Sequence, residues 1–312
     1  MKLHQLRDVI AVAECGSLRG AARKMNIAQS ALTKSVRLLE KELDVPLFER
    51  HKRGVVLTPM GSLFVVRARA ASSELERAQD EISQHRGDGS GQVTVSLSTV
   101  PHMSLLPSII EPFARRYPNV RLTVLEALGF SSIEAQMRNG AVDVYIGVAG
   151  SAQFSSDYSV EQLFSNRRCV MARSGSVHRN ATSLEELTEA SWIVSNQSYF
   201  ENSFAALFRK NNLAVPKRVT FAGSILSQLV FLLNSESIMI GPEKTLMFQP
   251  YQGLLTQIPV KEKIDAPSMV LVKRKSWPLT PAADYFCDLI RRESVALQAN
   301  SSKRVRPTEA RE

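Results

Sequence analysis

Leu3, Leu6, Ile10 and Ala13 recur at helical spacing and predict a first helix. Gly16 ends it, and Ser17 supplies an N-cap for a second helix over 18–25. Ala21 and Ala22 are small, as two closely crossing helices require. After a short turn at Asn26-Ile27, a third helix is predicted over 29–43. At about 100° per residue, Leu32, Val36, Leu39 and Leu43 form one apolar stripe. Ser30, Thr33, Lys34, Arg37 and Lys41 gather on the opposite side, with Gln29 at the N-terminal tip.

Two short extended runs, Leu47-Phe48 and Val55-Val56-Leu57, flank the basic turn Arg50-His51-Lys52-Arg53-Gly54. This reads as a hairpin wing. Thr58 caps a further helix, with Pro59 at its first position. That helix runs to about residue 85. Phe64, Ala68, Ala71, Leu75, Ala78 and Ile82 form a heptad seam along it, suited to a second copy or to the protein's own body. Gly87-Asp88-Gly89-Ser90-Gly91 reads as a flexible connector.

Beyond the connector the period changes. Val93, Val95 and Leu97 alternate as a strand. A helix over 105–117, a strand over 120–125, a helix over 132–139 and a strand over 142–147 follow, which is the βαβαβ pattern of a doubly wound parallel sheet. Further strands are expected over 168–172, 192–195, 219–222, 237–240 and 269–272, with helices near 183–189, 200–210 and 224–234. Thr280-Pro281 caps a last helix. Residues from about 296 on are polar and without periodicity, so 296–312 is expected to be a disordered tail.

Composition narrows the class. The 312 residues are 44 % hydrophobic and 22 % charged, with 15 Gly and 14 Pro, as befits globular domains rather than a disordered or collagen-like chain. The longest uncharged run, 219–235, contains Thr220, Gly223, Ser224, Ser227 and Gln228, and falls short of the ~20 apolar residues a span needs. Asp8 and Glu14 bracket too short an apolar stretch for a signal-peptide core. A cytoplasmic protein without membrane contact is expected. Cys15, Cys169 and Cys287 are far apart, which suits reduced thiols rather than a disulfide framework or a zinc module.

The net charge of +9 is unevenly placed. Residues 1–69 carry 13 Lys/Arg against 6 Asp/Glu, residues 291–312 are also basic, and the long middle is close to neutral. A small polyanion-binding head on a neutral body follows from that asymmetry. The third helix suits a DNA major groove: one side holds the core, and the other offers Gln and Arg for base edges and Lys, Ser and Thr for phosphates.

Gly16-Ser17-Leu18, Ala21-Ala22, Gln29-Ser30-Ala31-Leu32-Thr33, Leu38-Leu39-Glu40, Leu43, Leu47-Phe48-Glu49-Arg50, Arg53-Gly54, Leu57-Thr58 and Gly61 resemble the winged helix-turn-helix of LysR-type transcriptional regulators. The likeness is close over about residues 1–65 and architectural beyond. The family usually has Pro after the Gln, where this chain has Ser30, and Ser or Thr before it, where this chain has Ala28. Asn26 is then the residue left to cap the recognition helix.

The resemblance implies an α/β chain. A winged helix-turn-helix (1–58) and a linker and dimerisation helix (59–86) precede a hinge (87–91) and a two-lobed effector domain similar to periplasmic binding proteins. Lobe I would comprise 92–161 and 268–295, and lobe II 162–267. Gln29, Ser30, Thr33, Lys34 and Arg37 would face DNA, with Arg50, Lys52 and Arg53 on its backbone. The implied partners are an interrupted inverted repeat in double-stranded DNA, a small organic and anionic effector, a second copy or a tetramer joined through 59–86, and RNA polymerase.

Open parallel sheets bind ligands past the carboxyl ends of their strands. Ser98, Thr99, Val100, Pro101 and His102 follow the first strand of the body, with Phe130, Ser195, Asn196 and Ser198 expected to face them. His102 would be a ligand donor or a surface histidine, and Phe130 would stack on an aromatic effector or pack at the cleft hinge.

Against an enzyme, His4, His51, His85, His102 and His178 show no metal-ligand spacing, and no nucleophile elbow or phosphate-binding glycine loop is present. No cofactor or metal is expected. A solute-binding protein would not need the basic head, and an architectural DNA-binding protein would not need the body.

Overall fold

The structure, a computed structural model, describes residues 1–51, 54–87, 89–149 and 154–303. The N-terminal head comprises α1 (Leu3–Cys15), α2 (Leu18–Met25), α3 (Gln29–Leu43) and the hairpin β1 (Phe48–His51) and β2 (Gly54–Leu57). Val9, Val12, Ala21, Leu32, Val36, Leu39 and Leu47 fill its core. Gly16 ends α1 in the left-handed region at φ 61°, and the Ser17 side chain caps α2 on the Gly20 N–H.

The start of α3 departs from expectation. Asn26 is the left-handed C-cap of α2 at φ 55°, and Ala28 at the N-cap offers no side-chain bond. Ending one helix consumes the conformation that starting the next would need.

Helix α4 (Pro59–Arg86) begins on the Thr58 cap and carries the chain out of the head. Ala68 is buried, while Ala71, Leu75, Ala78 and Ile82 are exposed. The lower seam therefore faces away from the body. The polar face of the same helix lies on lobe I.

The chain then runs through β3 (Gly91–Leu97), α5 (Thr99–Ser104), α6 (Leu106–Arg116), β4 (Val120–Glu126), α7 (Glu134–Arg138), β5 (Val144–Val148) and β6 (Tyr158–Ser165). It crosses into lobe II with β7 (Arg168–Arg173), β8 (Trp192–Val194), α8 (Gln197–Tyr199), α9 (Ala205–Lys210), β9 (Val219–Phe221), α10 (Ile225–Asn234), β10 (Ile238–Pro242) and β11 (Leu255–Ile258). It returns through β12 (Ser268–Arg274) and α11 (Pro281–Lys303).

Each lobe is built on one five-stranded sheet, ordered β4-β3-β5-β12-β6 and β11-β7-β10-β8-β9. The sheets are mixed rather than wholly parallel. β12 runs antiparallel to β5 and β6, and β7 antiparallel to β10 and β11. In lobe I the reversed strand, β12, is the one that returns from the other lobe. In lobe II it is β7, the first strand after the crossover.

Two boundaries also move. β6 stays in the first sheet to Ser165, so the outward crossover lies at Asn166–Arg167 rather than at the expected lobe boundary between 161 and 162. α11 continues to Lys303, so 296–303 is helical and not a disordered tail; the remainder of the expected tail, 304–312, lies outside the described residues.

The lobe cores are separate. Val95, Leu97, Ile109, Ile146, Leu271 and Phe286 pack together in lobe I. In lobe II, Trp192 is fully buried edge-on against Phe204 and Phe208, with its Nε1 donating to the Leu187 carbonyl at 3.0 Å. Met103 on α5 packs into lobe II against the cluster of Cys169, Met171, Ile193 and Leu229, joining the lobes.

Candidate DNA interface and effector cleft

On α3 the two faces separate as the sequence requires. Leu32, Val36 and Leu39 are buried, whereas Gln29, Ser30, Lys34 and Arg37 are exposed and Thr33 is half-buried. Thr33 Oγ1 donates to the Gln29 carbonyl at 2.8 Å, so its proton is engaged within the helix. Among the described residues, neither Lys34 nor Arg37 forms an ion pair with a carboxylate. Leu38, half exposed, and Lys41 extend this face. Leu38 is offset from the Leu32–Val36–Leu39 stripe in the sequence itself, and its exposure follows from that offset.

The wing is fixed to the helices by backbone contacts. The Val55 N–H donates to the Gly16 carbonyl at 2.8 Å. At Gly54, φ is 146° and a Cβ would stand 2.3 Å from that same carbonyl oxygen, so only glycine fits. Glu40 Oε1 accepts from the Leu47 N–H at 2.8 Å and the Phe48 N–H at 3.2 Å, setting where β1 begins. Arg50 is exposed on β1. Lys52 and Arg53 lie outside the described residues. At the back of the head, Lys24 of α2 and Arg69 of α4 converge on Glu14; the hydrogen bond from Lys24, aided by Arg69, holds that carboxyl below its ordinary range.

In the body, the carboxyl end of β3 leads into Ser98, whose N–H donates to the Ile146 carbonyl at 2.9 Å. Ser98 is 4 % exposed, and its Oγ has no hydrogen-bond partner among the described residues. Gly147 keeps the adjoining space open, since a Cβ there would stand 2.3 Å from Tyr145 Oη and 2.9 Å from the Ser98 Cβ. Tyr145 Oη donates to the Val148 carbonyl at 3.2 Å, and burial raises its phenol well above the ordinary value. Thr99 and His102 are half-buried. His102 Nδ1 lies 3.1 Å from the Ser98 carbonyl.

Three of the expected contacts are buried. Val100 and Pro101 lie inside lobe I. Phe130 is 3 % exposed, its ring packed against Tyr145, Phe154 and Tyr158 with centroids 4.9–5.8 Å away, so its faces are covered by protein. It belongs to a core cluster with Ile133, Met137, Val142, Tyr145 and Tyr158.

In lobe II, Ser195 and Asn196 follow β8. Asn196 Oδ1 accepts from the Tyr199 N–H at 2.8 Å as an N-cap, and its Nδ2 reaches Ser195 Oγ at 3.5 Å. Ser198 is exposed and accepts from Asn202 Nδ2 at 3.3 Å. Arg168 lies at the same end of the sheet, its guanidinium 4.9 Å over the Tyr199 ring and bonded to the Tyr199 hydroxyl. Thr245, fully buried in the turn that packs on α5, has an Oγ1 without a partner among the described residues. The positions of Arg168, Tyr199 and Thr245 follow from strand order rather than from any local pattern in the sequence. Among the described residues there is no group of three or more His, Cys, Asp or Glu side chains placed to hold a metal, and no helix long and apolar enough to cross a membrane.

Comparison with known proteins bears on both parts. Residues 3–62 match the family described as bacterial regulatory helix-turn-helix protein, lysR family, and residues 86–294 match the LysR substrate binding domain. Relatives include the HTH-type transcriptional regulator GbpR of Azospirillum brasilense, 27 % identical over 98 % of this chain and 88 % of that protein. TdcA of Escherichia coli is 24 % identical over 91 % of this chain and 90 % of its own length. In fold, the chain resembles full-length OxyR from Pseudomonas aeruginosa, with a TM-score of 0.69 at 20 % identity over 93 % of this chain and 95 % of that one. It also resembles CbnR in complex with its target DNA, with a TM-score of 0.66 at 19 % identity over 94 % of this chain and 100 % of that one. With a helix-turn-helix head matched over 3–62 and a ligand-binding body matched over 86–294, this chain belongs to the LysR family of transcriptional regulators.

Proposed function

We propose that this regulator binds an interrupted inverted repeat as a homodimer or homotetramer paired through residues 59–86. A small organic anion between its lobes would then reset the separation of its heads. The observation that carries the DNA reading is the outer face of α3, where Gln29, Ser30, Lys34 and Arg37 stand exposed opposite a fully formed core stripe. Gln29 and Arg37 read base edges, while Lys34 and Ser30 take phosphates together with Arg50, Lys52 and Arg53 of the wing. The exposed seam of Ala71, Leu75, Ala78 and Ile82 supports pairing between copies.

Ser98, Thr99 and His102 meet the effector from lobe I, and Ser195, Asn196 and Ser198 from lobe II. The buried, unpartnered hydroxyl of Ser98 supports this site, because a buried polar group without a partner is costly until one arrives. Effector binding acts on DNA only through different affinities for the two DNA-bound shapes. The protein acts without catalysis, in the cytoplasm, with RNA polymerase as a further partner.

The test is nuclease footprinting on duplexes enriched by the protein from a random pool. A two-part protected site, whose spacing changes with a small carboxylate that also raises the melting temperature, is expected. Absence of any protected sequence at low salt would refute the proposal.

A further inference from the structure

Helix α4 carries a second stripe, distinct from its apolar seam. Ser73, Arg77, Asp80 and Gln84 follow one another at steps of 4, 3 and 4, two positions away from the seam residues. At about 100° per residue, two positions is about 200°, so the stripe lies on the opposite side of the helix. It rests on the base of lobe I, at the sheet end away from the effector cleft.

The contacts are specific. Ser73 Oγ donates to the Gly140 carbonyl at 2.8 Å. Arg77 donates to Asp143 Oδ1 from Nε at 2.8 Å and from Nη2 at 2.6 Å, and Nη2 also reaches the Gly140 carbonyl at 2.8 Å. The other Asp143 oxygen accepts from the Thr94 N–H at 2.8 Å, so β3 holds the carboxylate in place. Asp80 accepts from the Gln92 N–H at 3.0 Å, and Gln84 accepts from the Ala282 N–H at 2.9 Å at the start of α11.

Arg77 and Asp143 are 11 % and 12 % exposed, so this pair is not a solvated surface bridge of small effect. The Trp277 ring centroid lies 5.2 Å from the Arg77 guanidinium and 3.6 Å from the buried Arg274 guanidinium. Gly140 has φ 83°, and a Cβ there would stand 2.5 Å from Ser73 Oγ and 3.1 Å from Trp277. The close approach of the helix therefore requires that glycine.

We infer that Arg77 is a positioning residue: by clamping α4 to Asp143 and Gly140, it makes the DNA head and lobe I a single lever. The glycine-bearing connector over 87–91 then no longer sets the direction of the head. This rests on the reading of the protein as an effector-responsive DNA-binding regulator. Because the separation of half-sites mirrors the geometry of the protein that binds them, a rigid lever implies a sharp preference for one spacing. A head joined only by the connector would accept many.

The experiment uses the full chain and a duplex enriched by the wild type from a random pool, remade with its centre lengthened or shortened by up to about 5 base pairs, roughly half a helical turn. Wild type is expected to lose about tenfold or more in affinity as the half-sites rotate apart. Arg77→Ala is expected to keep its affinity for a single half-site while its spacing dependence flattens to within about threefold. Arg77→Lys keeps the charge but not the two-point grip, and should fall between them even if the alanine variant fails to fold.

A purely structural role would lower affinity for every spacing alike. Wild-type sharpness in either folded variant would overturn the inference, as would a wild type that binds the duplex but is indifferent to spacing. A wild type that enriches no duplex would overturn the functional reading and this inference with it.

Discussion

Thr58 Oγ1 donates to the Pro46 carbonyl at 2.7 Å and accepts from the Gly61 N–H at 2.9 Å. One hydroxyl thus closes the wing and caps the linker helix. Thr58 is 7 % exposed, so Thr58→Ala leaves both partners without their bond. A loss of about 1–2 kcal/mol in head stability is expected. Thermal or urea unfolding of the full chain checks it, and Thr58→Ser should retain most of the wild-type midpoint. An unchanged midpoint in Thr58→Ala would contradict the assignment.

Gly61 makes the same corner a steric test. A Cβ at this position would stand 2.0 Å from the Leu47 carbonyl oxygen, which is backbone and cannot rotate away. Helix propensity alone would favour alanine by about 1 kcal/mol. Overpacking is expected to win, so that Gly61→Ala destabilises by roughly 1–3 kcal/mol. A raised melting temperature would show that the approach to Leu47 is slacker than described.

The three cysteines should differ in reactivity. Burial pushes the Cys169 and Cys287 thiols up to about 12, which leaves almost no thiolate near neutrality, while Cys15 is only half-buried. Alkylation of the native protein at pH 8, read by mass spectrometry, should give one adduct, at Cys15, and three after unfolding. Rapid native labelling of Cys287 would count against the lobe I packing.

Ser98→Ala should separate effector sensing from folding. Its Oγ has no partner among the described residues, so removal leaves the unliganded melting temperature within about 1 °C of wild type or slightly above it. With a carboxylate effector bound, loss of a hydrogen bond to a charged group weakens affinity by about 10- to 100-fold. Thermal shift against effector concentration measures both quantities. Equal effector affinity in the two proteins would remove Ser98 from the site.

Much of this architecture is legible in the chain itself. The Leu32–Val36–Leu39 stripe, the Ser17 and Thr58 caps and the Val93–Val95–Leu97 alternation are local patterns with a single physical solution. β6 was hidden because most of its residues are exposed or half-buried, so its sequence resembles a connection. β11 has only four residues. The end of α11 carries little apolar period of its own and extends turns already anchored by Phe286 and Ile290.

The sites divide in the same way. The α3 face follows from helical periodicity, whereas Phe130 enters the core because Tyr145 and Tyr158 arrive from other strands. Arg77 and Asp143 are 66 positions apart, and nothing local to either one announces their pairing.

On the proposed function, the regulator meets DNA through the exposed side of α3, and Arg37 tests that reading most directly. Fluorescence anisotropy on one enriched duplex, with wild type and Arg37→Ala compared at matched salt, should show affinity reduced by about 1–3 kcal/mol, with weaker discrimination against an altered base. Lys34→Ala should weaken all sequences alike and reduce the salt slope by about one. Equal affinity and equal discrimination for Arg37→Ala and wild type, in folded protein, would contradict the proposed reading of that helix.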